Sequence, residues 1–300
     1  MSGEVRSFGS VTIHLGDKSG KYPDGNQVLV SGAEERVAFD TPLVAQRIGE
    51  AFDTVDRVIL GHVHEDHMAG LSRVPQAAVQ VHEADLAAAQ SWDGLARHFG
   101  YEEAVLTALK ARIERDFAYA PRPDATGYAD GAQWSLGGGV TVRAQHLPGH
   151  TAGHCALIVD SEGLAFIGDI DLSSFGPYYG DATSSLADFR RTLRAVAALE
   201  AGVWVTSHHR AVLTDRDEFL AALRAFAGRI DERRARLLAM LADGPQTLDQ
   251  LAARRLIYKP DHEADWITGV ERRSIGQHLD ELLADGDARQ LDDGRWALAG

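Results

Sequence analysis

At 300 residues, with 45% hydrophobic and 25% charged side chains, the chain has the make-up of a globular protein with material for one large domain and a small appendage. Its formal net charge of −14 speaks against a nucleic-acid partner, because the pairs Arg190-Arg191, Arg233-Arg234, Arg254-Arg255 and Arg272-Arg273 read as solvated helix positions rather than a basic stripe. The single cysteine, Cys155, excludes an internal disulfide. With no apolar stretch of membrane-spanning length and no apolar run within Met1–Ser10, a cytoplasmic location with no membrane partner is expected.

Short apolar runs broken by Gly, Asp and Asn predict strands over Val11–Leu15, Gln27–Val30 and Arg36–Phe39. Thr41-Pro42 opens a helix that should run to about Phe52, with Thr as N-cap and Pro in the first turn. Val55–Leu60 is a compact apolar strand, followed at once by Gly61-His62-Val63-His64-Glu65-Asp66-His67 and by the first turns of a helix over Met68–Arg73. A strand at Val79–His82, a helix at Glu83–Gln90 and helical periodicity over 93–118 lead into a Pro/Asp/Gly loop over 119–133. Strands resume at Val140–Leu147, Cys155–Val159 and Leu164–Ile167, the last two joined by the turn Asp160-Ser161-Glu162-Gly163. An amphipathic helix over Ser185–Leu199, a strand at Val203–Thr206 and a helix over Asp217–Met240 follow. Two passes from β-rich to α-rich sequence predict an α/β fold of αββα layers, sheets inside and helices outside.

Beyond about Leu241 the texture changes. Gly244-Pro245 breaks the chain, Thr247–Arg255 and Glu271–Asp285 read as helices, and Arg289–Leu291 and Arg295–Leu298 form a hairpin about Asp292-Asp293-Gly294. Helices followed by a hairpin within some 70 residues make a winged-helix pattern. The expected division is residues 1–240 and 241–300, with the boundary inside the helix before Leu241.

The histidines carry the chemistry. Residues two apart in an extended segment point the same way, so His62 and His64 can converge on one metal ion. Asp66 and His67, at the turn that follows, can face a second. Imidazole suits zinc and iron, and a carboxylate adds charge and hardness. One loop supplies too few ligands for two ions. His150 in Pro148-Gly149-His150-Thr151, Asp169 in Ile167-Gly168-Asp169 and His208 in Thr206-Ser207-His208 each lie just beyond a short apolar strand, where α/β sheets gather ligands.

His-x-His-x-Asp-His, Pro-Gly-His-Thr, Gly-Asp and Ser-His in this order resemble the metallo-β-lactamase superfamily over roughly residues 10–230. The resemblance implies one metal held by His62, His64 and His150, another by Asp66, His67 and His208, and a bridge at Asp169. It also implies that Asp40 supports the ligand loop from behind, orienting a histidine. Two divalent ions, zinc foremost with iron and manganese tolerated, would lower the pKa of a water between them and polarise the substrate carbonyl or phosphoryl oxygen. Asp66 and Asp169 are then the catalytic carboxylates, Asp66 doubling as a proton relay. Cys155, inside an apolar strand, reads as a core residue.

His154, four residues after His150, is read as structural. His208 is favoured over its neighbour His209, since adjacent strand residues point opposite ways. Tyr178 and Tyr179, in the loop Phe175–Asp181, follow the Asp169 strand closely enough to rim the cleft and contact substrate or a developing oxyanion.

Fold does not fix substrate. The best-known zinc β-lactamases place Cys where this chain has Asp169, which argues against antibiotic hydrolysis. The Asp bridge resembles glyoxalase II-like thioesterases, lactonases and the nuclease branches. The tail, with Gly244-Pro245, Tyr258 and His278-Leu279, resembles that of the lactamase-B-like-2 group, associated with both thioester-type hydrolysis and RNA cleavage. Residues 231–300 hold ten Lys/Arg against fourteen Asp/Glu, the wrong sign for a helix gripping phosphates. The favoured reading is a metal-dependent hydrolase of a small acyl substrate (thioester, ester or lactone), and the second an RNA nuclease. The tail is expected to cover one side of the cleft or to mediate a homodimer.

Overall fold

The computed structural model describes residues 4–299. The first sheet takes its strands in chain order: β1 (Val5–Phe8), β2 (Val11–His14), β3 (Gln27–Ser31), β4 (Arg36–Phe39), β5 (Arg57–Leu60), β6 (Ala78–His82) and β7 (Thr126–Tyr128). Neighbours run antiparallel as far as β4 and parallel from there on. Between these strands lie helices α1 (Ala45–Ile48), α2 (Glu50–Asp53), α3 (Leu86–Gln90), α4 (Trp92–Phe99) and α5 (Glu103–Asp116). The second sheet comprises β8 (Gln133–Ser135), β9 (Thr141–His146), β10 (Cys155–Val159), β11 (Leu164–Phe166), β12 (Val203–Val205) and β13 (Val212–Leu213), with β8 and β13 at its edges. Helix α6 (Leu186–Ala197) crosses between the parallel pair β11 and β12, and α7 (Arg216–Ala242) follows β13.

Strand alternation explains the layering. Val11, Ile13, Val28, Val30, Val37, Phe39 and Ile59 meet Val142, Ala144, Cys155, Leu157, Phe166 and Val205 between the sheets. The intervening residues Ala156, Ile158 and Trp204 face outward onto Phe189 and Leu193 of α6 and Phe219 and Phe226 of α7. The Trp204 and Phe219 rings stack with centroids 4.3 Å apart. A strand such as β10, buried on both faces, needs its continuous apolar run Cys155-Ala156-Leu157-Ile158-Val159. The αββα arrangement is the one the sequence predicts.

Local readings differ in several places, among them the helical stretch expected over 93–118, which breaks at Gly100 into α4 and α5. The helix expected over Thr41–Phe52 is two single turns, split at Gly49 with φ +79°. Thr41 is not its cap: the backbone N–H and hydroxyl of Thr41 both donate to His67 O, at 2.8 and 3.0 Å. The segment after the His-rich loop forms one 3₁₀ turn, Leu71–Arg73, instead of a helix. The loop over 119–133 hides β7 and opens β8, each three residues long.

Helix α7 runs unbroken through position 241, so the boundary expected there falls in its last turn. Beyond it, α8 (Leu248–Ala253), α9 (Ile267–Asp285) and the hairpin β14 (Ala288–Gln290) with β15 (Trp296–Leu298) enclose a separate core. Leu237, Met240 and Leu241 of α7 meet Leu251, Leu256, Ile275, Leu279 and Leu282 there. Thr247 and Gln250 close a capping box at the start of α8.

Helix α9 also docks on the first part of the chain. His278, wholly buried, accepts from the Tyr179 hydroxyl at 2.8 Å, and Arg233 donates to that same oxygen at 3.2 Å. Burial, reinforced by Arg233, Arg190 and Arg234, pushes the His278 pKa down to about 3. The unfolded chain therefore binds this proton below pH ~6.5 while the folded chain refuses it, so stability falls as the pH drops from 6.5 toward 3. His154, also lowered to about 3 by burial and by His150, adds a second slope of the same sign. Each should cost roughly 2 kcal/mol on going from pH 7 to 5, and His278→Gln is expected to remove about half of that loss in thermal melts. A variant whose melts track the wild-type pH dependence would contradict the assignment.

Candidate metal centre

The centre forms where the ends of the central strands of both sheets meet. Cys155 N–H donates to Gly61 O at 2.7 Å, tying the start of β10 to the loop that leaves β5. That loop carries His62, His64, Asp66 and His67, all buried. His150 lies between β9 and β10, Asp169 beyond β11, and His208 beyond β12.

Two donor groups result. His62, His64, His150 and Asp169 each offer an atom within 4.8 Å of the others, and Asp66, His67 and His208 do the same. His64 Nδ1 and His150 Nε2 are 3.0 Å apart in the first group. In the second, His208 Nε2 stands 3.0 Å from Asp66 Oδ2 and His67 Nε2 stands 3.7 Å from Asp66 Oδ1. Asp169 lies between the groups. Its Oδ2 is 3.3 Å from His150 Nε2 and 3.9 Å from His62 Nε2, while its Oδ1 is 3.2 Å from His67 Nε2 and 3.5 Å from His208 Nε2.

The donors fit divalent metal. His62 Nε2, His67 Nε2, His208 Nε2 and Asp169 Oδ1 are buried without a hydrogen-bond partner, an arrangement that a packed interior tolerates poorly unless an ion completes it. Four of the rings are held through one nitrogen, whereas neither nitrogen of His62 has a hydrogen-bond partner. His67 Nδ1–H donates to Asp40 Oδ2 at 2.8 Å, and His208 Nδ1–H to Gly20 O and Asp24 O at 2.8 and 2.9 Å. His150 Nδ1–H donates to Tyr178 O at 3.1 Å and His64 Nε2–H to Asp181 Oδ2 at 2.9 Å. Each donation fixes the tautomer and leaves the other nitrogen's lone pair facing inward. Asp40 sits at φ +51°, a conformation rare for a residue with a side chain, and also accepts from Gly61 N–H at 2.6 Å.

The pKa shifts do not divide along the two groups, since His62 and His64 of the first move in opposite directions. Burial, with His67 adding to it, holds the His62 pKa well below the usual imidazole value. Burial works against protonation of His208 too, but Asp169 and Asp66 outweigh it and raise its pKa to about 10. His64 is raised to about 9 in the same way, burial being overcome by Asp181. Burial alone would raise the Asp169 pKa, yet His67, His208 and His62 hold it well below the carboxylate range. Seven side chains thus gather ionisable groups into one largely buried cluster, the signature of a site rather than of a core.

The family model described as the Metallo-beta-lactamase superfamily matches residues 30–208. That span begins in β3 and ends on His208. The chain belongs to the metallo-beta-lactamase superfamily. A Beta-lactamase-like protein 2 homolog from Drosophila melanogaster is 20% identical over 274 residues, covering 88% of this chain and 84% of the relative. An atrochrysone carboxyl ACP thioesterase from Pseudocercospora fijiensis is 23% identical over 290 residues, covering 92% and 74%. Among solved structures, a metallo-beta-lactamase family protein from Thermus thermophilus shares the fold with a TM-score of 0.66 at 24% identity, covering 91% of this chain and 93% of that one.

Not every residue singled out in the sequence arrives at this superfamily site. His209 sits at φ +61° and turns toward Asp171, with Nε2 3.6 Å from Oδ2. His154 Nδ1–H donates to Leu147 O at 3.0 Å, and its Nε2 accepts from Asp169 N–H at 3.2 Å, so it positions the Asp169 backbone from behind. Gly168 leaves room for that ring: a Cβ there would lie 2.6 Å from His154 Nε2. The Tyr178 ring is 5.8 Å from His150 and its hydroxyl donates to Asp181 Oδ1 at 3.1 Å. Tyr179 points away, its hydroxyl consumed by His278 and Arg233 in the interior.

Two buried carboxylates carry no sequence signal. Asp85 accepts from Val63 N–H, Thr151 Oγ1–H and Gly153 N–H at 3.2, 2.7 and 2.8 Å, joining the ligand loops of the two sheets. Asp181 holds His64. Neither sits in a motif or at a ligand spacing.

Proposed function

We propose that the chain is a hydrolase that holds two divalent ions, zinc foremost with iron and manganese as alternatives, and cleaves a small acyl substrate: a thioester, ester or lactone. The observation that carries this reading is Asp169, whose two carboxylate oxygens face two separate groups of inward-turned donors. When bound, such ions supply an activated water and a Lewis acid for the carbonyl oxygen. The chain's own part is to turn the donor atoms inward by holding four of the rings from behind, and to keep Asp66 beside His208 where it can accept a proton. Aromatic side chains flank the pocket. Tyr22, 42% exposed, lies 6.4 Å from the His208 ring and donates to Glu65 Oε1 at 3.1 Å, and Tyr178 stands on the His150 side. They suit an apolar acyl group, and the thioesterase relative favours the same chemistry.

Charge favours it over RNA cleavage. Of the two cations on α9, Arg272 is paired with Asp249, and Arg273 is spent on the carbonyls of Phe99, Gly100 and Gly180. Neither is free for phosphate. Among the described residues no helix is long and apolar enough to cross a membrane. The winged-helix reading of the tail, and a place for it beside the cleft, belong to this proposal.

The test is a parallel assay of purified, metal-analysed protein on thioester and lactone panels and on labelled single-stranded RNA, with Asp169→Ala as control. Metal-dependent acyl turnover that the control lacks, with RNA left intact, is expected. Metal-dependent RNA cleavage without acyl hydrolysis would overturn the reading.

A further inference from the structure

The loop between β11 and α6 is gripped from two sides. On the inner side, Asp181 is 1% exposed and its Oδ2 accepts from His64 Nε2–H at 2.9 Å. Its Oδ1 accepts from the hydroxyls of Tyr101 at 2.5 Å and Tyr178 at 3.1 Å. The same loop holds His150: Tyr178 O accepts from its Nδ1–H, and Ser184 Oγ–H donates to its carbonyl at 2.7 Å. Two of the three histidines in the first donor group are therefore oriented by residues 178–184.

On the outer side stands α9. Arg273 donates to Gly180 O at 2.7 Å and Gln277 to Tyr179 O at 2.9 Å. Val270 packs so closely that a Cβ on Gly180 would lie 2.4 Å from its Cγ1. Val270, Arg273 and Gln277, at i, i+3 and i+7, share one helix face. The second group is held differently. His67 leans on Asp40, and His208 on Gly20 O and Asp24 O, all from the first part of the chain.

We infer that α9 is a positioning element for one metal only: through the backbone of Tyr179 and Gly180 it seats Asp181 on His64, and so sets how tightly the group of His62, His64, His150 and Asp169 holds its ion. Asp181 is the positioning residue. The inference rests on the two-metal reading but not on any substrate. Partners that orient a ligating histidine are typically worth 10–100-fold in metal affinity. That loss should fall on one ion while the other is spared.

The experiment is a zinc titration against a chromogenic chelator, on wild-type protein, Asp181→Asn, the double variant Arg273→Ala/Gln277→Ala, and Asp40→Asn. Wild type should take up two ions. Asp181→Asn and the double variant should each weaken one by 10–100-fold and leave the other within about twofold. Asp40→Asn should weaken the complementary ion, as seen when it is combined with Asp181→Asn and both are affected. Arg273→Lys, which keeps a donor for Gly180 O, should recover most of the affinity, separating positioning from misfolding. Two ions bound with wild-type affinity by the double variant would overturn the inference, as would equal weakening of both. A wild-type chain that binds fewer than two ions would overturn the two-metal reading and this inference with it.

Discussion

Replacing Asp169 by alanine is expected to lower kcat/KM on the true substrate by at least about three orders of magnitude. Its carboxylate lies within 4 Å of nitrogens from both donor sets, and its Oδ1 has no hydrogen-bond partner. On the proposed two-metal reading, truncation would remove an anionic ligand shared by the two donor groups. Metal activation of water and carbonyl is worth several kcal/mol of barrier, and about 4 kcal/mol corresponds to a thousandfold. The fold should survive, because the backbone at position 169 remains pinned by His154. Metal analysis beside kinetics checks this. A variant that turned over at the wild-type rate with its metals in place would show that the bridge is dispensable.

Asp85→Ala should give the largest loss of stability of any single polar change near the site, about 3–5 kcal/mol. The carboxylate is 1% exposed and satisfies three donors, two of them backbone N–H groups that no water can reach without opening the loops. Truncation strands all three in the interior. In a chain of this size the melting temperature should drop by roughly 6–15 °C. Asp85→Asn, which keeps an acceptor oxygen but no charge, should lose about half as much. Unchanged melting of the alanine variant would mean that the two loops are held by something else.

The contrast between these two aspartates explains what is legible in the sequence. Asp169 stands directly after an apolar strand in Gly-Asp, within a series of strand ends, so its setting is local and can be read. The run His62 to His67 is more legible still, because four donors occur within six residues. Asp85 and Asp181 act on groups as far as 68 and 117 residues away, and no local pattern records such a partnership. The same physics displaces a predicted helix. Thr41-Pro42 is a sound N-terminal signal, yet both donors of Thr41 are taken by His67 O, so a tertiary contact outranks the cap. Strands β7 and β8 stay hidden because three-residue edge strands among Pro, Asp and Gly owe their form to the longer partners β6 and β9. Distance along the chain points Tyr179 to the rim, but two residues of α7 and α9 that lie far off in sequence draw its hydroxyl inward.

The donors are spread over both sheets, and this governs when during synthesis the centre can come into being. A ribosome that has released the first hundred residues has delivered His62, His64, Asp66 and His67 but neither His150 nor Asp169 nor His208. That nascent stretch can chelate an ion only loosely. The full grip arrives after residue 208 has emerged and the second sheet has closed on the first. On the proposed metal-binding reading, ions would then act as late rivets across a seam between two halves made at different times, stabilising the joined state by mass action. Starving growing cells of metal should therefore leave full-length chains whose seam opens readily to protease, with cuts concentrated in the loops that flank His62–His67 and His150.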